Sequence, residues 1–154
     1  MRRALPVAFL IAMAACGPSP ITRARVEKAV APTFANLVQV QVSRMGLPAV
    51  PPPGVKAVAN CRRLVGAADR GAGEWACAIT WYGPNRTGML DTYDVTVSTD
   101  GCYSASVAGE EGHLGGPTVI TSDGRTIRNL LYVFEGCFDT TGRPEEHTRV
   151  ITLP

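Results

Sequence analysis

Residues 75–107 read WACAITWYGPNRTGMLDTYDVTVSTDGCYSASV and contain three segments in which apolar and polar residues alternate. Alternation with a period of two places the apolar side chains on one face of a β-strand. The segments are separated by GPNRTG at 83–88 and by Asp100-Gly101, and glycine readily takes the positive φ that tight turns need. The stretch therefore predicts an antiparallel meander, on which two of the five cysteines lie.

The inward face of this meander follows from the alternation. Side chains predicted to point inward are Trp75, Cys77, Ile79 and Trp81 on strand 74–82, Tyr93, Val95 and Val97 on strand 89–98, and Tyr103, Ala105 and Val107 after the turn. Asp94, Thr96 and Ser98 are predicted to point outward. Two tryptophans on one face are more typical of a core than of a ligand platform.

Residues 21–45, which precede the meander, have the spacing of apolar residues that is typical of a helix. Gly46 and Pro48 are expected to end this helix, and Pro32 inside it predicts a kink or a restart. The spacing of three to four residues joins Val26, Val30, Phe34, Leu37, Val38, Gln41 and Met45.

Residues 38–42 also alternate as a strand would, but the helical period covers many more residues and is preferred. We expect the helix to bury Phe34, Leu37 and Met45 against the sheet.

The remaining segments complete an α+β fold. Residues 55–61 predict a first strand with Val55, Ala57, Ala59 and Cys61 on one face, and residues 62–73 a loop. Residues 119–127 predict a small second hairpin, residues 130–134 a fifth main strand, and residues 148–153 an edge strand. The expected architecture is an N-terminal helix packed on an antiparallel meander sheet of about five strands, stapled by disulfides.

The N-terminus carries the features of an export leader. Arg2 and Arg3 are followed by a short apolar run, which ends at the GPSP of residues 17–20 and is too short to span a bilayer. Residues 13–16, MAAC, then resemble the lipobox of bacterial lipoproteins, with Met13 in place of the preferred leucine. An ordinary secretory signal with an incidental cysteine is the alternative.

The resemblance implies diacylglycerol on the sulfur of Cys16, cleavage before Cys16, and usually acylation of the new amino group by a fatty acid such as palmitate. The expected organisation is a signal peptide at 1–15, a tether at 16–21 and one domain at 22–154. The protein is then extracytoplasmic and held on the cell membrane through Cys16.

The charge of the chain argues against nucleic-acid binding. Arg2 and Arg3 lie in the leader, and without them 13 basic residues face 13 acidic residues. A neutral domain lacks the basic surface with which proteins bind phosphate backbones. No nucleic-acid partner is expected.

The four cysteines beyond Cys16 predict two disulfides, as is common in an exported domain. Cys61 and Cys77 lie on the apolar faces of consecutive strands, whereas Cys102 opens a strand and Cys137 closes one. These positions favour the pairs Cys61–Cys77 and Cys102–Cys137 among the three pairings, each contributing about 2–4 kcal/mol. The absence of a C-x-x-C spacing argues against a zinc or redox site.

The chemistry-bearing residues do not form a recognisable catalytic motif. His113 and His147 lie in polar segments, and Ser104 and Ser106 lie on a strand without a G-x-S-x-G elbow. Asp91 and Asp94 point to opposite strand faces, and we interpret both as solvated. No catalytic residue, metal ligand or cofactor is predicted.

The arrangement as a whole resembles a broad group of small exported actinobacterial lipoproteins. The likeness rests on the leader, the helix, the spacing of Cys61, Trp75 and Cys77, and the sequence DGCY at 100–103. It implies no activity.

Two classes of function remain. The first is a non-catalytic binding or structural module of the envelope, with a protein or peptide partner and binding loops at 62–73 and 108–117. The second is a small hydrolase-like extracytoplasmic enzyme with a dispersed site. A minor alternative is an inhibitor that presents a loop such as 109–117.

Overall fold

The computed structural model of the chain describes residues 21–51, 54–66, 69–82, 87–109 and 114–140. One helix and seven strands lie in this part of the chain. In chain order they are α1 (Arg23–Arg44), β1 (Lys56–Arg63), β2 (Gly73–Tyr82), β3 (Gly88–Val97), β4 (Cys102–Val107), β5 (Thr118–Ile120), β6 (Thr126–Arg128) and β7 (Val133–Cys137).

Five strands form one antiparallel sheet in the order β1-β2-β3-β4-β7, and β5 and β6 form a separate hairpin. The helix packs on one face of the five-stranded sheet, mainly along β1. The predicted α+β fold is therefore confirmed. The hairpin at 118–128 is also confirmed, and it lies in the connection between β4 and β7.

Helix α1 begins at a capped turn and continues past its internal proline. The Thr22 side chain accepts a hydrogen bond from the Arg25 N–H at 3.4 Å, as an N-cap residue does. Pro32 lies on the exposed side of one continuous helix, so the predicted restart is wrong. The strand-like alternation at 38–42 is likewise helical, because Val38 and Gln41 turn towards the core.

The core lies between α1 and the inner sheet face, and aromatic rings hold its centre. The Phe34 ring stands 5.5 Å from that of Trp81 and 5.9 Å from that of Tyr93, in edge-to-face contacts. Tyr93 in turn meets Phe134 at 5.2 Å. Such pairs contribute about 0.5–1.5 kcal/mol each beyond their buried area.

The inward faces predicted for the strands are those observed. Trp75, Cys77, Ile79, Tyr93 and Val95 are each fully buried. On the helix, Phe34 is fully buried and Leu37 is partly buried against the core, whereas Met45 is only partly buried near the helix end. Ile21 already belongs to the core at 6% exposure.

Several element boundaries differ from the sequence expectation, most of them by one or two residues. Strand β1 extends to Arg63 and β2 starts at Gly73, so the loop between them spans only 64–72. Strand β7 begins at Val133, because residues 130–132 form a turn held by the Asn129 side chain, which accepts from the Leu131 N–H at 3.0 Å. The edge strand predicted at 148–153 lies outside the described residues.

Both predicted disulfides are present, Cys61–Cys77 between β1 and β2 and Cys102–Cys137 between β4 and β7. In each pair the two cysteines are direct partners across the ladder. Cys61 and Cys77 are fully buried, whereas Cys102 is half-buried and Cys137 is exposed. Disulfide bonds persist in oxidising compartments, which is consistent with an extracytoplasmic protein.

A hydroxyl relay attaches the helix to the far side of the sheet. The Tyr103 hydroxyl donates to the Thr33 hydroxyl oxygen at 2.9 Å, and the Thr33 hydroxyl donates to the Ala29 carbonyl at 3.0 Å. Burial raises the pKa of Tyr103 above its usual value. This contact joins α1 to β4, which the helix otherwise does not reach.

Within the described residues, no helix is both long and apolar enough to cross a membrane.

Candidate binding surface

The residues singled out for chemistry are dispersed. Ser104 and Ser106 lie on β4, one exposed and the other half-buried, while His113 and His147 fall outside the described residues. The four domain cysteines are all joined in disulfides. Among the described residues, no group of three or more His, Cys, Asp or Glu side chains is placed to share a metal ion.

Asp91 is buried, and its interpretation as a solvated residue is wrong. Its side chain is on the core face of β3 at 3% exposure, and Asp91 Oδ2 accepts a hydrogen bond from the Trp81 indole N–H at 2.8 Å. The sequence already indicated this burial, because the two-residue period of a strand places Asp91 on the same inward face as Tyr93. Asp94 points to the opposite, exposed face, as predicted.

Tyr93 completes this buried polar group. Its hydroxyl donates to the Leu131 carbonyl at 2.7 Å. Burial, and then the neighbouring charge of Asp91, raise the pKa of Tyr93 far above its usual value. Trp81, Asp91 and Tyr93 all lie within the core, away from the groove described below, so we interpret them as structural.

The first predicted binding loop, now 64–72, is fixed by an arginine. The Arg63 guanidinium donates to the Ala72 carbonyl at 2.7 Å. It is packed so closely on the loop backbone that a Cβ at Gly66 would lie 3.1 Å from Arg63 Nη1. Arg63 therefore fixes the described parts of the loop, 64–66 and 69–72.

The second predicted loop, 108–117, is described only at its two ends. The side-chain amide nitrogen of Asn129, Nδ2, donates to the Leu114 carbonyl at 2.7 Å and to the Gly116 carbonyl at 2.9 Å. Asn129 is 1% exposed, so one buried amide fixes this end of the loop.

Among the described residues, the outer edge of β1 presents backbone groups that lack a partner. Cys61 faces Cys77 with a Cα–Cα distance of 4.0 Å, as in the pairs of an antiparallel ladder that exchange no hydrogen bonds. The Cys61 N–H consequently points away from β2, and it donates to Glu27 Oε1 on the helix at 2.9 Å. Backbone groups alternate in direction along a strand. The N–H and C=O groups of Ala57 and Ala59 therefore also point away from β2.

No backbone or side-chain partner for the Ala57 and Ala59 N–H groups is found within the described residues. Glu27 is held in place by Arg23, whose Nε lies 2.8 Å from Glu27 Oε1. The helix therefore closes the edge at Cys61 and leaves it open at Ala57 and Ala59.

A shallow, widely open groove of about 830 Å³ lies between this edge and α1. Five of its thirteen lining residues are alanines, three from the helix and two from the strand, which leaves the strand backbone accessible there. The lining residues are Ala24, Glu27, Lys28, Ala31, Pro32, Ala35, Asn36 and Gln39 from the helix, and 55–59 from the strand. Lys28 and Lys56, the only lysines of the chain, both line it.

Apolar side chains continue from this edge onto the open face of the sheet. Val58 is 68% exposed, and in the adjacent strands Tyr82 is 52% and Leu90 is 56% exposed. Val58 and Leu90 flank Thr80 in one row across the ladder. An added strand would thus find a groove on one side and an apolar surface on the other.

Sequence reasoning did not identify the groove, although a signal was present. Ala24, Ala31 and Ala35 share one helix face, and Ala57 and Ala59 share one strand face. Their proximity depends on how α1 crosses the sheet, which periodicity does not determine.

No known protein family, curated protein or solved structure matches the chain.

Proposed function

We propose that the protein is an envelope lipoprotein, anchored to the cell membrane through Cys16, that acts as a non-catalytic binding module. Its binding surface is the open edge of β1 together with the adjoining groove. The occupant is an extended peptide segment that adds as a strand to the sheet. The leader and the MAAC sequence at 13–16 support the anchor, and the two disulfides agree with an oxidising compartment.

One observation carries the binding proposal: the outward N–H and C=O groups of Ala57 and Ala59 open into a groove of small side chains. A peptide strand would exchange hydrogen bonds with these groups, as in strand addition to exposed sheet edges. Its side chains would alternate between the groove and the side of Val58. Isolated sheet edges are normally blocked, so an edge left open beside a groove favours a binding role.

The charges at the groove indicate the kind of peptide. Lys56 contributes positive charge, and Glu27, the one carboxylate among the described lining residues, is engaged by Arg23 and by the Cys61 N–H. An acidic residue in the peptide would therefore be favoured over a basic one. The ligand class is an extended peptide with at least one carboxylate.

Selection from a displayed library of random peptides, with the folded full-length chain as the target, tests the proposal. Selected peptides should be extended and acidic, and Ala57→Pro should abolish their binding. The proline removes the outward N–H and places its ring on the edge, while the ladder to β2 keeps its hydrogen bonds. Glu135→Pro on β7 is the matched control, since Cys137 pairs with Cys102 as Cys61 does with Cys77 and the Glu135 N–H points outward as well.

A charge pair provides a second test that does not alter the backbone. Lys56→Glu should weaken binding of an acidic peptide roughly tenfold, about 1.4 kcal/mol. Arg62→Glu lies on the same strand face but outside the groove, and should change binding much less. Equal binding to the wild type, Ala57→Pro and Lys56→Glu would refute the β1 edge as the site.

The anchor is tested separately. The full-length chain should partition with membranes, and Cys16→Ser should move it to the soluble fraction. If both forms partition equally, the anchor at Cys16 is wrong, whatever the peptide selections give.

A further inference from the structure

We infer that Leu64 and Val65, the first two residues of loop 64–72 and here called the apolar tip, touch the lipid surface and act as a second membrane contact beside the anchor. This inference rests on the proposed lipid at Cys16. It assigns the domain an orientation, with the loop facing the membrane.

The two side chains of this apolar tip are adjacent and exposed. Leu64 is 47% and Val65 is 70% exposed. Isolated exposed apolar residues are common on protein surfaces and need no partner. An adjacent pair on a loop held by the Arg63 guanidinium is different, because the loop presents both side chains on an ordered support.

The loop is hydrogen-bonded to the beginning of the described chain. The Gly71 N–H donates to the Ile21 carbonyl at 2.8 Å, and the Arg23 N–H donates to the Asp69 carbonyl at 3.1 Å. Thr22 and Arg70 form an isolated antiparallel bridge. The tip therefore lies at the same end of the domain as Ile21.

The chain between the anchor and this end is short. Ile21 follows Cys16 by five residues, and a fully extended chain of that length spans at most about 18 Å. A lipid on Cys16 thus keeps this end of the domain close to the headgroups. The acyl chains on Cys16 hold the protein on the bilayer, and an exposed apolar pair at the tethered end adds an interfacial contact that orients the domain.

The described charges near the tip nearly cancel, which decides the kind of contact. The four basic residues are Arg23, Arg62, Arg63 and Arg70, and the three acidic residues are Glu27, Asp69 and Glu74, with the Asp69 carboxylate 3.7 Å from Arg23 Nη1. Opposite charges so close together leave little net attraction for anionic lipids. The tip therefore binds through its apolar side chains.

Fluorescence quenching by brominated lipids tests the inference. The full lipidated chain carrying Val65→Trp is reconstituted into phosphatidylcholine vesicles with brominated acyl chains. Val58→Trp is the matched control, since Val58 is 68% exposed but lies on the open sheet face. Quenching at position 65 should exceed that at position 58 at least about twofold, because inserted apolar side chains reach the acyl boundary. Leu64→Trp is a second reporter, and near-ultraviolet circular dichroism checks that each variant is folded.

The outcomes separate this inference from the anchor. If the chain floats with the vesicles and positions 58 and 65 are quenched equally, the tip contact is wrong while the anchor stands. If the unsubstituted chain and Cys16→Ser both fail to float, the anchor itself is wrong, and the tip contact falls with it. Quenching at position 65 that appears only after phosphatidylglycerol is added would overturn an apolar contact.

Discussion

The two edges of the sheet share a backbone arrangement and differ in what surrounds it. Strands β1 and β7 are each joined to their inner neighbour by a cross-strand disulfide. At β1 the disulfide is fully buried under α1, and a groove opens beside the strand. At β7 Cys137 is exposed, and the helix contacts this side through the Phe34 ring, 6.4 Å from that of Phe134, and through the Tyr103 hydroxyl.

The difference shows what makes a sheet edge usable for binding. Outward N–H groups alone do not distinguish β1 from β7, because the ladder places them on both. At β1, small helix side chains keep a space open beside these groups, and Glu27 covers only the N–H of Cys61. The distinction therefore comes from the helix rather than from the sheet.

Reduction of the disulfides in the native protein should show the largest difference between the two edges. A dithiol reductant should open Cys102–Cys137 first, because thiol exchange requires access to a sulfur. Alkylation followed by mass analysis would locate the opened pair. The bond closes a separation of 35 residues, so its loss should cost about 4 kcal/mol of unfolding free energy. Prior opening of Cys61–Cys77 would contradict the comparison.

Substitution of Gly136 on β7 tests how α1 is attached to the β4–β7 side of the sheet. A Cβ at Gly136 would lie 2.5 Å from Tyr103 Oη, so Gly136→Ala must displace the ring that binds Thr33. The expected cost is about 2 kcal/mol in urea unfolding. Gly88→Ala on β3, whose Cβ would meet only the exposed Tyr82 ring at 3.3 Å, is the control and should be nearly neutral. Equal effects of the two changes would mean that Tyr103 does not anchor the helix.

Acid titration should give the smallest effect, at the turn that leads into β4. The Ser98 hydroxyl, and then the Cys102 N–H, lower the pKa of Asp100. A lowered pKa stabilises the fold above the unfolded-state value near 4, and this contribution disappears as the pH falls through the folded value. Asp100→Asn should flatten the decline of the melting temperature below about pH 4. A decline as steep as that of the wild type would contradict this role.

Local patterns predicted the elements well because alternation and helical spacing are properties of adjacent residues. The inward faces of β2 and β3, the turn at Gly101 and both disulfide pairs follow from them. The interpretation of Asp91 as solvated was wrong because it relied on the polarity of the side chain. The position of Asp91 on the same face as Tyr93 indicated burial. Pro32 did not break the helix, since it is exposed and tertiary contacts on either side hold the helix together.

The groove depends on a crossing angle that no local pattern contains. Alanines at 24, 31 and 35 predict a narrow helix face, but only the packing of Phe34 on Trp81 and Tyr93 brings this face to the edge of β1. The outward N–H groups of Ala57 and Ala59 likewise depend on which strand lies at the edge. Strand order is a property of the whole chain.

Amide hydrogen exchange in the presence of a selected acidic peptide tests the binding site most directly. The Ala57 and Ala59 amides should exchange rapidly in the unbound protein and become protected at saturating peptide. The outward amides of Val133 and Glu135 on β7 should remain unchanged. Protection on β7, or a bound peptide that leaves Ala57 and Ala59 unprotected, would contradict strand addition at β1.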